Sequence, residues 1–210
     1  MKKAFTLIEL IFSMVIIAIA FSVLPKILQL SIKSATTSLK EEAMYNAVAY
    51  VGLIKSTAWD EKNTEVDDIL LVSDGDTSYK CNKLTGWYRI GGMKGSRNCF
   101  HEKNASIPLG SESNDRDDMD DFVTLTADNN NSSRDYNLSV NESYIQDIAL
   151  SATQYSNTPL GDNKSSNTKL IIVTVQTNKK SKTLGNAFVK IPFIAQNIGQ
   201  IKINRRDWQE

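Results

Sequence analysis

Apolar positions fall in three patterns along this chain. From Ala4 to Leu24 nearly every residue is apolar, and Glu9 is the sole charge. From Ile27 to Ile54 the apolar residues recur mostly at spacings of three and four: Leu28, Ile32, Ala35, Leu39, Ala43, Ala47, Val51. That is the period of an amphipathic helix. No Gly or Pro interrupts residues 26–51. The pattern predicts one helix from about Phe5 to about Ser56, roughly 75 Å long. Pro25 stands where the two patterns join, and is expected to kink or loosen the helix there.

After Trp59 the pattern changes to short apolar or β-branched runs between turn-rich segments. Candidate strands are Ile69–Val72, Trp87–Ile90, Phe122–Ala127, Tyr136–Val140, Lys169–Thr177 and Ala187–Ile194. The last two flank Asn178–Gly185, which reads as a hairpin connection. Pro192 cannot donate to a sheet ladder, so the last run is expected at a sheet edge. Residues 73–86, 91–121 and 156–168 read as long loops. The predicted class is α+β: a long N-terminal helix whose amphipathic half packs on a C-terminal antiparallel sheet.

The first segment is long enough to cross roughly 30 Å of hydrocarbon as a helix. Lys2 and Lys3 precede it, which predicts a cytoplasmic N-terminus and an exported remainder. An ordinary signal peptide would carry a small-residue cleavage site after the apolar run. Pro25, Lys26, Ile27 and Leu28 follow instead; the Ala18 and Ala20 pattern lies inside the run. A carboxylate within a membrane-spanning stretch is costly, so Glu9 calls for a functional reason. Snorkelling to the nearby membrane face is the plainer reading.

Charge and cysteine content narrow the remainder. The formal net charge is +0, which argues against a nucleic-acid binder. Cys81 and Cys99 are the only cysteines, and in an exported domain they most simply form one disulfide. Zinc with His101 as a third ligand is the competing use, without a fourth ligand at recognisable spacing. His101 is the only histidine, and no nucleophile motif or phosphate loop occurs, so an enzyme is not expected. Lys179, Lys180 and Lys182 read as a solubilising hairpin tip, and Arg205, Arg206 and Trp208 as a docking or fraying end.

Lys2-Lys3-Ala4 followed by Phe5-Thr6-Leu7-Ile8-Glu9-Leu10 and the apolar helix resembles a class III prepilin signal, the mark of type IV pilins and pseudopilins. The resemblance implies cleavage between Ala4 and Phe5 by a prepilin peptidase, and methylation of the new Phe5 amine. The family usually has Gly where this chain has Ala4. It further implies that Glu9 pairs with the Phe5 amine of a neighbouring subunit and sets axial register in a filament. Asp115-Arg-Asp-Asp-Met-Asp-Asp-Phe122 is similar to an acidic landmark of minor pilins in the mannose-sensitive haemagglutinin pilus set. Trp59-Asp-Glu-Lys-Asn63 and the paired late strands are similar to features of the same set.

The acidic cluster Asp115, Asp117, Asp118, Asp120 and Asp121 could bind calcium, although its spacing is not that of an EF-hand. A solvated acidic loop, or a cap before a strand, is the commoner outcome. The resulting expectation is a minor pilin-like subunit with a leader at residues 1–4, a membrane helix at 5–25, its continuation at 26–56 and a sheet domain at 57–210. Its partners would be other pilin-type subunits, the prepilin peptidase, an inner-membrane assembly platform and lipid. A minor pseudopilin of type II secretion has the same start. A signal-anchored periplasmic enzyme or binding protein is the alternative from a different class.

Overall fold

A computed structural model describes residues 6–89, 98–110, 116–123, 136–149, 151–161, 163–177 and 187–199. The elements are α1 (Leu7–Lys55), a short α2 (Glu61–Glu65), β1 (Tyr136–Tyr144), β2 (Thr168–Thr177) and β3 (Ala187–Gln196). Chain contacts divide the protein into one unit ending at Ala43 and another beginning at Met44. The fold is α+β, with a long apolar N-terminal helix and a three-stranded antiparallel sheet.

In the first unit, α1 is long and apolar enough to cross a membrane. Its large side chains from Leu7 to Ile32 are exposed on every side, so no described residue of the unit covers them. The hydroxyls in the apolar stretch turn inward to the helix backbone. Ser13 donates to Leu10 O at 2.8 Å and Ser22 to Ile19 O at 2.8 Å. Such bonds satisfy a hydroxyl where water is missing. The helix continues through Pro25 without interruption.

In the second unit, the last turns of α1 pack on the sheet. Ala47 and Ile54 are fully buried, Asn46 donates to the Tyr136 hydroxyl, and Lys55 lies 5.6 Å over the Phe193 ring. Tyr50 meets Phe122 edge to face at 5.6 Å. The sheet order is β1-β2-β3, with both pairs antiparallel. Alternation places Leu138, Val140, Glu142 and Tyr144 opposite Val175, Val173, Ile171 and Lys169 on the buried face. β3 forms the edge next to β2, with Pro192 opposite Ile172, as the missing N–H of proline requires.

Several expected strands are shorter than that. Among the described residues, Leu71 pairs with Asn104 and Tyr88 with Asn98 in isolated bridges rather than strands. Residues Asp120–Phe122 form a 3-10 turn, and residues 124–127 of the expected Phe122–Ala127 strand lie outside the described residues. β1 instead runs four residues past Val140, because Glu142 and Tyr144 continue its buried alternation. The hairpin connection, Ile90, the Lys179, Lys180 and Lys182 group and the Arg205, Arg206 and Trp208 end lie outside the described residues.

Cys81 and Cys99 are joined by a disulfide with Cα atoms 6.3 Å apart. The bridge and Ile69 form a small satellite core, with Leu71 and Trp87 against it. The zinc alternative is therefore overturned: both thiols are consumed, and His101 Nδ1 instead lies 2.8 Å from Asp68 Oδ2. Replacing both cysteines by serine is expected to lower stability by about 3 kcal/mol, since the bridge closes a short loop of the unfolded chain. Denaturant midpoints of the two proteins give the difference. Alkylation without reductant should leave the mass of the parent unchanged.

Gly199 shows why a glycine stands there. Its φ is +73°, and a Cβ would lie 2.5 Å from Asp67 O. Asn197, two residues earlier, is fully buried, donates to Leu70 O at 2.8 Å and accepts from Leu70 N at 3.0 Å. This side chain replaces a strand partner for Leu70 and ties the end of β3 to the satellite core.

Candidate functional site

Among the described residues, two polar clusters bear on the sequence motifs. The first is at the start of α1. Thr6 precedes the first helical residue, and Glu9 stands three positions later. One Glu9 oxygen accepts from Thr6 N at 3.1 Å and from Thr6 Oγ1 at 3.0 Å. Thr6 O in turn accepts from Leu10 N at 3.2 Å. This is the returning half of a capping box, which satisfies an N–H that the helix itself leaves open. The spacing Thr-x-x-Glu was present in the sequence, and a capping reading would have found it. Glu9 is thus engaged within its own chain, at the positive end of the helix. The expected cleavage residues Ala4 and Phe5 lie outside the described residues.

The second cluster surrounds Lys169, which sequence reasoning did not single out. Lys169 is 0% exposed. It lies on β2 in step with Ile171, Val173 and Val175, so the sheet's alternation turns its side chain inward. Its Nζ donates to Trp59 O at 2.7 Å and to Asp120 Oδ1 at 3.0 Å. Glu142 Oε1 is 3.1 Å away and Asp60 Oδ2 is 4.0 Å away. The Trp59 and Tyr144 rings lie 4.6 and 5.6 Å from Nζ, facing the cation with their electron-rich sides.

The acidic segment is built around this ammonium. Asp118 Oδ1 accepts from the backbone N–H groups of Asp120 and Asp121, both at 3.1 Å, and so shapes the turn. Asp121 Oδ2 accepts from Asp117 N at 3.1 Å. Asp120 sends one oxygen to Lys169 and the other to Gly110 N at 3.1 Å. Asp60 caps α2 through Lys62 N at 3.1 Å and accepts from Ser106 N at 2.8 Å. Among the described residues no three acidic, histidine or cysteine side chains are arranged to hold a metal. Asp115 lies outside the described residues. The Trp59–Asn63 and acidic motifs, far apart in sequence, meet at Lys169.

Three carboxylates share one ammonium, so not all can be charged at low cost. Burial pushes the Glu142 carboxyl from 4.5 up to about 7; Lys169 opposes this, while Asp120 and Asp60 add to it. Asp118 is pushed up to about 9, first by burial and then by Asp120. Burial alone would lower Lys169, but Glu142 and Asp120 hold its ammonium well above its ordinary value. Burial also raises the Tyr144 hydroxyl, which donates to Ser106 O at 3.0 Å.

The sign of the pH dependence follows. The folded chain holds the Glu142 proton between 4.5 and about 7, where the unfolded chain releases it. Asp118 extends that window from 3.8 to about 9. Their stabilisation is present at acid pH and lost as pH rises through the folded values. The melting temperature is expected to be higher at about pH 5 than at about pH 8. Thermal scans at the two pH values check this, and a variant with Glu142→Gln and Asp118→Asn should lose most of the difference.

Residues 1–25 match a family model described as the prokaryotic N-terminal methylation motif. The motif supports a class III prepilin start of the type IV pilin and pseudopilin kind. It implies a structural subunit processed by a prepilin peptidase, assembling with other pilin-type subunits and anchored by an apolar helix. The match ends at Pro25, so it concerns the anchor and not the sheet domain. No curated protein and no solved structure matches the chain.

Proposed function

We propose that the protein is a minor subunit of a type IV pilus, stored in the inner membrane and drawn into the filament through its N-terminal helix. The methylation motif over residues 1–25, continuous with an unpartnered apolar helix, carries this reading. Lys2 and Lys3 orient the anchor with its N-terminus in the cytoplasm and the sheet domain in the periplasm. Cleavage between Ala4 and Phe5 leaves a cationic amine one residue before the Glu9-capped Thr6. An amine from a neighbouring subunit competes with Thr6 for the Glu9 carboxylate, and that exchange fixes axial register on assembly. The acidic landmark and the Trp59–Asn63 motif favour a pilus of the mannose-sensitive haemagglutinin kind over a secretion pseudopilus.

Co-expression with a prepilin peptidase is the direct test. The chain is expected to lose its first four residues and to carry a methylated Phe5. An uncleaved chain, or one cut after Ala20, would overturn the reading. Immunodetection in sheared pili, set against secretion of exoproteins in a deletion strain, separates the pilus from a type II secretion system.

A further inference from the structure

The surroundings of Lys169 exceed what a structural ion pair requires. An amine, a carboxyl carbon, a backbone donor and a second carboxyl are gathered in one site closed to water. Lys169 and Asp120 are both fully buried, and the Glu142 side chain is buried with them. Nζ is 3.0 Å from Asp120 Oδ1, next to the carbon an amine would attack. The other oxygen of that carboxyl, Oδ2, already accepts from Gly110 N at 3.1 Å. A backbone N–H so placed stabilises the oxyanion that forms at that oxygen. Trp59 O holds the amine from another side at 2.7 Å. Asp60 is a poorer target: it stands farther off, at 4.0 Å, and its oxygens are taken by Lys62 and Ser106.

We infer that Lys169 and Asp120 condense into an intramolecular amide, an isopeptide cross-link between β2 and the Asp118–Phe122 turn, with Glu142 relaying a proton. Against the hold of the neighbouring carboxylates, the ammonium first gives a proton to Asp120 Oδ1 across their hydrogen bond, leaving a minor form with a neutral amine and a neutral carboxyl. Nζ then attacks Asp120 Cγ, and the charge that develops on Oδ2 faces Gly110 N–H. Glu142 takes a second proton from nitrogen and delivers its own to the leaving Oδ1 hydroxyl. The Nζ–Cγ bond forms, the Cγ–Oδ1 bond breaks and one water departs. No oxidant or further reactant is needed. Glu142 suits the relay because its Oε1 lies 3.1 Å from Nζ and no other described group bonds to either of its oxygens. Its raised value, about 7, supplies both of the forms that a relay needs near neutrality. The fixed approach of the two groups replaces a bimolecular encounter, and the aromatic walls keep out the water that would reverse it.

A cross-link there joins positions 49 residues apart and would let the sheet domain resist pulling. Mass spectrometry of the full chain, purified in detergent with its disulfide intact, tests the inference. The expected mass is lower by one water than the sequence and disulfide require. Proteolysis should yield a branched peptide joining Lys169 to Asp120. An unreduced mass with a linear Lys169 peptide would overturn it and leave a plain buried ion pair, as would a water loss mapped to any other residues. Glu142→Gln is expected to lose the branched peptide; full cross-linking in that variant would overturn the relay. The branched peptide forms whether or not the leader is cleaved, so this outcome is independent of the pilin reading.

Discussion

Replacing Lys169 by methionine is expected to destabilise the sheet domain by about 3–5 kcal/mol, the range for removing one partner of a buried charge cluster. Methionine has a comparable length and would fill the space, so the effect is electrostatic rather than a cavity. Asp120 and Asp60 would face each other and Glu142 without a cation, and Trp59 O would lose its donor. The carboxylates can escape only by taking up protons, so the penalty should shrink at acid pH. Denaturant titration of the full chain in detergent measures it. A loss below about 1 kcal/mol, the range of exposed pairs, would show that the cluster is hydrated. The direction is unchanged where the amide has formed, because the substitution then removes the cross-link as well. Adding Asp120→Leu and Glu142→Leu to the lysine variant should recover much of the stability, since a matched apolar set leaves no charge unpaired.

The second large effect is expected at Glu9, where two substitutions separate two roles. Glu9→Gln keeps a side chain able to accept from Thr6 N, so the capping box survives. It removes the charge that a neighbouring Phe5 amine would meet. Incorporation into filaments is expected to fall at least about tenfold, equivalent to roughly 1.4 kcal/mol of subunit attraction. Membrane insertion and leader cleavage should continue. Glu9→Ala removes the cap as well, which adds a local loss of about 1 kcal/mol at the first helical turn. Immunoblots of sheared filaments against membrane stores report the ratio. Wild-type incorporation of Glu9→Gln would show that Glu9 is a helix cap and nothing more.

The anchor was the most legible part of the chain. An apolar run of that length has few physical outcomes, and the charge pattern around it is local. The late strands were also legible, because alternating β-branched residues in Lys169–Thr177 mark a half-buried strand without reference to anything distant. At Phe122 the described backbone is a 3-10 turn for a local reason: Asp118 caps the backbone of Asp120 and Asp121. Leu71 and Tyr88 lie in apolar runs, but Asn197, isolated bridges and the disulfide hold those segments in place of a regular ladder.

Lys169 and Glu142 were visible in one sense only. Each falls on the same parity as its buried apolar neighbours, Ile171 and Val173 for the lysine, Leu138 and Val140 for the glutamate. Charged residues at such positions ordinarily suggest a strand end or a shift of register. What parity cannot supply is the partner: Trp59 and the adjacent Asp60 come from one segment and Asp120 from another, both far from Lys169 in sequence.

By itself, then, the sequence determined the anchor, the processing signal, the helix period and the sheet's inward face, because each rests on residues a few positions apart. Only the tertiary structure decided which partners the described part of the acidic motif takes. Asp120 is drawn inward by one buried ammonium while Asp118 and Asp121 shape the turn that carries it, and such a pairing depends on charges brought together by the fold, at distances no local pattern encodes.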